Sequence, residues 1–251
     1  MLKYLVLLFF LVSLMTSCDD RDGLLFSDDF ESYAEGSVPA SPWEKSGDGR
    51  IFVDSSKSRS GKRSVHFVTG ETYKNRAFLG LFDRKIFPLK KNRYYGRVYM
   101  YVEEASPDGV HWTMIQSSGR VPGRDFSSEI RYGGQHQKRL MANYETHGVR
   151  SDCWQHSKFE IPEKQWFLID WFFDGRKGRM KVWIDDKPIE DIWVGRKGEG
   201  CIDDDLKGEW IYPLIENVQI GWVDYQPNGG ERNVWFDDFM ISAKPFDKSK
   251  K

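Results

Sequence analysis

What most constrains this chain is its punctuation. Short runs rich in β-branched and aromatic residues recur along it: residues 63–68, 94–102, 111–116, 140–144, 166–173, 180–184, 218–223 and 234–241. Turn-forming stretches separate them, among them Ser60-Gly61-Lys62, Pro107-Asp108-Gly109, residues 174–178 and Pro227-Asn228-Gly229-Gly230. No segment sustains a helical period. A chain written this way builds antiparallel sheets, and the expected fold is all-β: a β-jelly roll, or concanavalin-like sandwich, of two antiparallel sheets sharing one core. No linker, repeat or charge block divides it, so one domain is expected over residues 24–246. Period-two alternation assigns faces: Met180, Val182 and Ile184 turn inward and send Lys181 and Trp183 out, while Glu129, Arg131 and Gln135 share one side if Gly133-Gly134 does not bulge.

The first residues do not belong to that pattern. Met1-Leu2-Lys3 precedes an apolar run, Tyr4 to Met15, too short for a comfortable membrane span, which reads as an export signal over residues 1–18. Its end, Leu14-Met15-Thr16-Ser17-Cys18, resembles the lipobox of bacterial lipoproteins. By that resemblance Cys18 carries lipid, and the anchor is the only expected link to a membrane, at the periplasmic or cell surface. If the lipobox is not used, the protein is secreted. Two other cysteines remain, Cys153 and Cys201, an even pair in a compartment where disulfides persist.

Charge is balanced, with Lys+Arg 37 against Asp+Glu 38, so no basic field points to nucleic acid. The chain is expected to be a monomer. It carries no Gly-x-Ser-x-Gly elbow, no phosphate loop, no His-Glu-x-x-His and no strand with the closely spaced acids of retaining glycosidases. What stands out is polar chemistry on strand-like segments. Four of the five histidines (His111, His136, His147 and His156) fall between residues 111 and 156, interleaved with Arg131, Gln135, Asn143, Tyr144 and Asp152. Arg131 and Gln135 offer a guanidinium fork and an amide suited to a sugar carboxylate. His111, His136 or His156 can act as base, His111 foremost, Tyr144 or Tyr225 can protonate a leaving oxygen, and Asp152 can orient an imidazole. That set fits β-elimination on a uronic acid. Gly133 and Gly134 would let an extended ligand approach the backbone.

Acids also interrupt apolar strands at both ends of the domain, in Asp28-Asp29-Phe30-Glu31 and Asp237-Asp238-Phe239. A buried carboxylate needs a partner or a cation, and calcium takes such oxygens in a flexible shell. Jelly-roll domains of carbohydrate-active proteins resemble this arrangement and hold a structural calcium there. The expected ligands are Glu31 and Asp237, with Ser58 and the Gly61 carbonyl.

Together with Tyr95-Gly96-Arg97-Val98-Tyr99-Met100, His111-Trp112-Thr113 and the stretch from Glu129 to Gln135, these ends resemble the cellulose-induced secreted protein family of fungi and its bacterial relatives. The resemblance covers most of the mature chain. It implies a jelly roll with bound calcium, similar in fold to glucuronan and alginate lyases. It also implies a glycan cleft on the concave sheet, with Arg131 and Gln135 matching the Arg-x-x-x-Gln pair that lines it. His111, Asp152 and Tyr225 complete the expected catalytic set. The expected activity is a polysaccharide lyase on uronate-containing glycan. The rival reading is a carbohydrate-binding module without catalysis, in which Trp154, Trp183 or Trp222 stacks on sugar rings. A third is a structural lipoprotein of a glycan-uptake complex.

Overall fold

Alternation of apolar and polar side chains, rather than propensity alone, decides this fold, because each strand must put one face in a core shared by two sheets. The computed structural model describes residues 23–195, 200–203, 206–227 and 230–247. Cys18 and the export signal lie outside the described residues, as do Asn228 and Gly229 of the last expected turn. In chain order the strands are β1 (Leu24–Asp28), β2 (Trp43–Ser46), β3 (Arg50–Asp54), β4 (Ser64–Val68), β5 (Ala77–Leu81), β6 (Arg93–Val102), β7 (Trp112–Arg120) and β8 (Ser127–Gln135). Then follow β9 (Arg139–His147), β10 (Ser151–Glu160), β11 (Trp166–Asp174), β12 (Arg179–Ile184), β13 (Lys187–Pro188), β14 (Ile202–Asp203), β15 (Val218–Asp224) and β16 (Asn233–Ser242).

They form two eight-stranded antiparallel sheets, a jelly-roll sandwich. The first runs β13-β12-β11-β6-β16-β4-β3, with β1 also paired to β16; the second runs β14-β10-β9-β8-β7-β15-β5-β2. Val98, Met100, Ile169, Trp171 and Phe173 face inward from the first sheet, and Ile115, Ile130, Tyr132, Ile220 and Trp222 from the second, all fully or almost fully buried. Each such large side chain contributes roughly 1.5–3 kcal/mol through burial. As alternation requires, Met180, Val182 and Ile184 are in the core and Trp183 is not.

Cys153 and Cys201 form a disulfide across a separation of 48 residues. It ties β14, the edge strand of the second sheet, to β10 beside it, where Ser151 and Asp152 pair with Asp203 and Ile202. In the chain-entropy picture a loop of that length contributes on the order of 4 kcal/mol.

Two expectations about open space are corrected. The Gly133-Gly134 pair stays in register with Met141 and Leu140, and the irregularity falls on β7 between Thr113 and Ile115. The space the glycines leave is filled by the protein: a Cβ on Gly133 would lie 1.9 Å from the Trp112 carbonyl oxygen, and one on Gly134 2.2 Å from the Trp112 ring. These glycines admit β7, not a ligand. Trp222 likewise cannot serve as a sugar platform, because it is fully buried and stacks on Trp112 with centroids 4.4 Å apart and planes 10° from parallel.

Candidate functional site

On the second sheet, the strand periodicity that buries Ile130 and Tyr132 turns Glu129 and Arg131 to the opposite, outer face. Register then fixes the neighbours. Arg131 lies between Gln116 of β7 and Asn143 of β9, and Glu129 is directly across from Glu145. Asp152 of β10 follows Glu145 in the same row. Two carboxylates set side by side repel unless a cation joins them, and Arg131 is that cation. Its Nε lies 3.1 Å from Glu129 Oε1, one terminal nitrogen donates to Glu145, and the other donates to the Tyr225 hydroxyl. The guanidinium also lies 5.4 Å from the centre of the Tyr225 ring.

The site is a groove of about 440 Å³ whose floor and walls include Tyr73, Arg76, Gln116, Glu129, Arg131, Glu145, His147 and Tyr225. Tyr225 comes just after β15, and its backbone N–H donates to the His111 carbonyl, which holds the chain there. Its hydroxyl is 3.2 Å from Thr113 Oγ1, and its ring stacks on His111 at 4.6 Å and packs against Tyr73 at 5.7 Å.

Electrostatics follow from this packing. Burial works against the charge on Arg131, which is 2 % exposed, but Tyr225, Glu129 and Glu145 outweigh it and hold the guanidinium charged. Burial pushes Glu129 up, yet Arg131 and His147 bring it below the usual carboxylate range. His147, 3.9 Å from Glu129 Oε2, is raised chiefly by that carboxylate. Burial, with Arg131 and His156 adding to it, pushes His111 down to about 3, so its ring is neutral at neutral pH. Burial raises Tyr225 against the pull of Arg131, and its phenol is protonated there. Burial also lifts Asp152 to about 6 against the pull of Arg131 and Asn143.

Of the residues expected from sequence, the structure thus brings Arg131, Tyr225 and His111 together. Asp152 stands one strand beyond Glu145 and accepts a 2.6 Å hydrogen bond from Asn143 Nδ2 rather than orienting an imidazole. Gln135 is on the same face as Arg131 but four residues further along β8, ~13 Å away at strand rise. It lies outside the groove, with its amide 3.4 Å from the Gly109 carbonyl. His111 Nε2 is closed off from solvent and has no hydrogen-bond partner among the described residues. The ring therefore supports Tyr225 from behind and does not face the groove. Sequence reading put Glu129 on the Arg131 face without giving it a role and passed over Glu145, Gln116, Arg76 and the role of His147, which only the cross-strand register could have named.

In the first sheet, the expected calcium ligands converge on the loop between β3 and β4. Glu31 Oε1 accepts from the backbone N–H groups of Lys62 and Arg63, both at 2.7 Å, and Asp237 Oδ2 from those of Arg59 at 2.7 Å and Ser60 at 3.1 Å. Ser58 precedes Arg59 within that loop. Gly61 sits in it at φ +54°, so close to Glu31 that a Cβ would lie 2.3 Å from Oε1. Asp237 is fully buried, and burial lifts it to about 7. Two carboxylates around one loop, one of them penalised as an anion, are a hard-oxygen set that calcium fits. Among the described residues, no group of three or more His, Cys, Asp or Glu side chains is placed to hold a metal, so a cation here would need loop oxygens as well.

Residues 29–244 match the polysaccharide lyase-like profile of the Cip1-like core domain. The chain belongs to the Cip1-like family. Among solved structures this Cip1-like chain resembles the cellulose induced protein Cip1, with 21 % identity and a TM-score of 0.64 over 87 % of this chain and 97 % of that one. It also resembles the endo-β-1,4-glucuronan lyase from the fungus Trichoderma reesei, with 11 % identity and a TM-score of 0.57 over 88 % and 96 %. The binding domain of botulinum neurotoxin serotype D/C shares the fold at 13 % identity and a TM-score of 0.52; the match spans 92 % of this chain and 51 % of that one. No curated protein matches by sequence. At these identities the structural likenesses establish the fold.

Proposed function

We propose that this protein is an exported, carbohydrate-active member of its family, a polysaccharide lyase that cleaves uronate-containing glycan by β-elimination in the Arg131 groove. The observation that carries the reading is the seat of Glu145. A carboxylate, 45 % exposed at its side chain, rests on an N–H of Arg131 whose other terminal nitrogen donates to the Tyr225 hydroxyl. A uronate carboxylate that displaces Glu145 meets the same donor, next to a phenol that can protonate the departing glycosidic oxygen. Neutralising that carboxylate acidifies the C5 proton. His147, which lines the groove, is the base. His111 and Thr113 hold Tyr225 in place. Membership of a polysaccharide lyase-like family and the likeness to a glucuronan lyase support the substrate class.

The test is incubation of the mature protein with a panel of uronans while following the ultraviolet absorbance of the unsaturated product. Tyr225→Phe is expected to lower turnover by ~10²-fold or more, as loss of a general acid does. A base must be unprotonated, and His147 is raised from 6.5, so kcat/KM should climb with pH through a value above 6.5. A profile that is flat there removes His147 from the role.

A second reading has its own observation. Arg131 already donates to Glu145 and Tyr225 and has Glu129 as an ion-pair partner, which suits a site that grips a glycan without turning it over. Retardation by uronan gels without any unsaturated product would decide for that reading.

At the loop between β3 and β4 a calcium held by Glu31 and Asp237, with Ser58 and the Gly61 carbonyl, is proposed as structural, and no catalytic step passes through it. Export through residues 1–18, with lipid on Cys18, belongs to the same proposal. Mass spectrometry of the mature N-terminus tests it, and an unmodified or uncleaved start rejects the anchor.

A further inference from the structure

The outer face of the first sheet, on the far side of the sandwich from the Arg131 groove, carries a second groove of about 420 Å³. Its side chains come from the outward positions of β6, β11 and β12, whose alternate residues Tyr94, Trp171, Phe173 and Met180 are in the core, with Lys177 from the turn between β11 and β12 and Phe246 from beyond β16. Tyr95 and Phe172, neighbours across β6 and β11, stack at 4.4 Å and 26° and supply an apolar floor. Arg93, Lys177, Arg179 and Lys181 surround it.

The two carboxylates in the same wall do not balance those cations: Asp170 is matched by Arg97, and Asp174, cross-strand from Arg93 and Arg179, offsets a single charge among them. Asp170 takes both of its oxygens to Arg97, at 2.7 and 2.9 Å. Asp174 is 2 % exposed and accepts the backbone N–H groups of Arg176 and Lys177 at 3.1 and 3.0 Å. Arg93 adds an Nε that is buried without a hydrogen-bond acceptor among the described residues. On a chain whose formal net charge is −1, this is a local excess of positive charge around an aromatic floor. Aromatic floors favour the apolar face of a sugar ring, and the cations favour acid groups on it.

We infer that this groove is a second, non-catalytic binding site for an acidic saccharide, read by Arg93, Lys177, Arg179 and Lys181 over Tyr95 and Phe172. It lies on the opposite sheet from the site of the proposed reaction and does not depend on that reaction. A protein with one acidic-glycan site on each face holds a polymer at two points, which raises its effective affinity without any new contact in the first groove.

Affinity electrophoresis tests this with gels containing alginate, dextran sulfate or neutral dextran. The wild-type protein should be retarded by an acidic gel and not by neutral dextran, and added salt should release it. Lys177→Glu/Arg179→Glu reverses two exposed charges and should weaken that retardation by ~10-fold or more. Its melting temperature, unchanged, reports that it folds, and Lys181→Gln gives a milder loss in the same direction. Comparing the two acidic gels tells carboxylate from sulfate. Retardation that survives the charge reversal, equal retardation by neutral dextran, or none in any gel overturns the proposal. Product absorbance is a separate readout, so charge-dependent retardation without product rejects the lyase reading and leaves this site standing.

Discussion

Arg131 and Asp237 are both buried charges, and the protein treats them in opposite ways. Arg131 has side-chain counterions on either hand, Glu129 and Glu145, and is held charged at any working pH. Asp237 has peptide N–H groups instead, and with Asp238 beside it burial wins, lifting the carboxyl to about 7. Full opposite charges offset the cost of desolvation where backbone dipoles only reduce it. The first arrangement is fixed; the second responds to protons and cations.

Removing the cation should have the largest effect. Arg131→Met leaves Glu129 and Glu145 facing each other across β8 and β9, and is expected to cost about 3–5 kcal/mol in urea denaturation, the usual result of breaking a buried ion network from one side. A loss below about 1 kcal/mol would show that the arginine is not what holds the two acids together.

Asp237 should be next. Its folded pKa of about 7 stands above the ordinary 3.8, so the folded state binds this proton more tightly than the unfolded one. Its contribution is therefore greatest below about pH 4 and declines as pH rises toward about 7. Asp237→Asn should flatten that limb by roughly 2–4 kcal/mol. Calcium favours the ionised form. Adding it at neutral pH should raise the melting temperature of the wild-type protein, and chelator should lower it, with no response in Asp237→Asn. If neither pH nor calcium distinguishes the two proteins, the contrast with Arg131 fails.

The smallest change is at the groove mouth. Glu145→Gln removes a half-exposed partner of Arg131 and should cost about 1 kcal/mol or less in stability. It should also tighten uronan binding, measured by gel retardation, because one repelling carboxylate is gone. Weaker binding would mean that Glu145 itself holds the ligand.

How far the sequence carried depends on which physical rule each feature obeys. Strand runs and the sandwich follow from local pattern, so residues 94–102 and 166–173 are readable as strands, and Met180, Val182 and Ile184 as core. Tyr225 and Arg131 were readable as chemistry out of place on a β segment. Gln135 misled because period two fixes a face but not a distance, and four residues of strand separate it from Arg131. Asp152 was given to a histidine because the register that sets Glu145 between it and Glu129 cannot be read along the chain. The same register hides the Tyr95–Phe172 floor, whose members are 77 positions apart in sequence. Gly133 and Gly134 looked like room for a ligand because nothing local says that Trp112 fills it.

That filling has a further use. Trp112 begins β7 and Trp222 lies near the end of β15, and these two strands carry Gln116 and lead into Tyr225. Two indoles stacked 4.4 Å apart and nearly parallel couple their electronic transitions. The fold therefore contains its own optical gauge: circular dichroism in the indole bands reports whether the seam between β7 and β15 is closed, and so whether the groove's floor is assembled, without any added label.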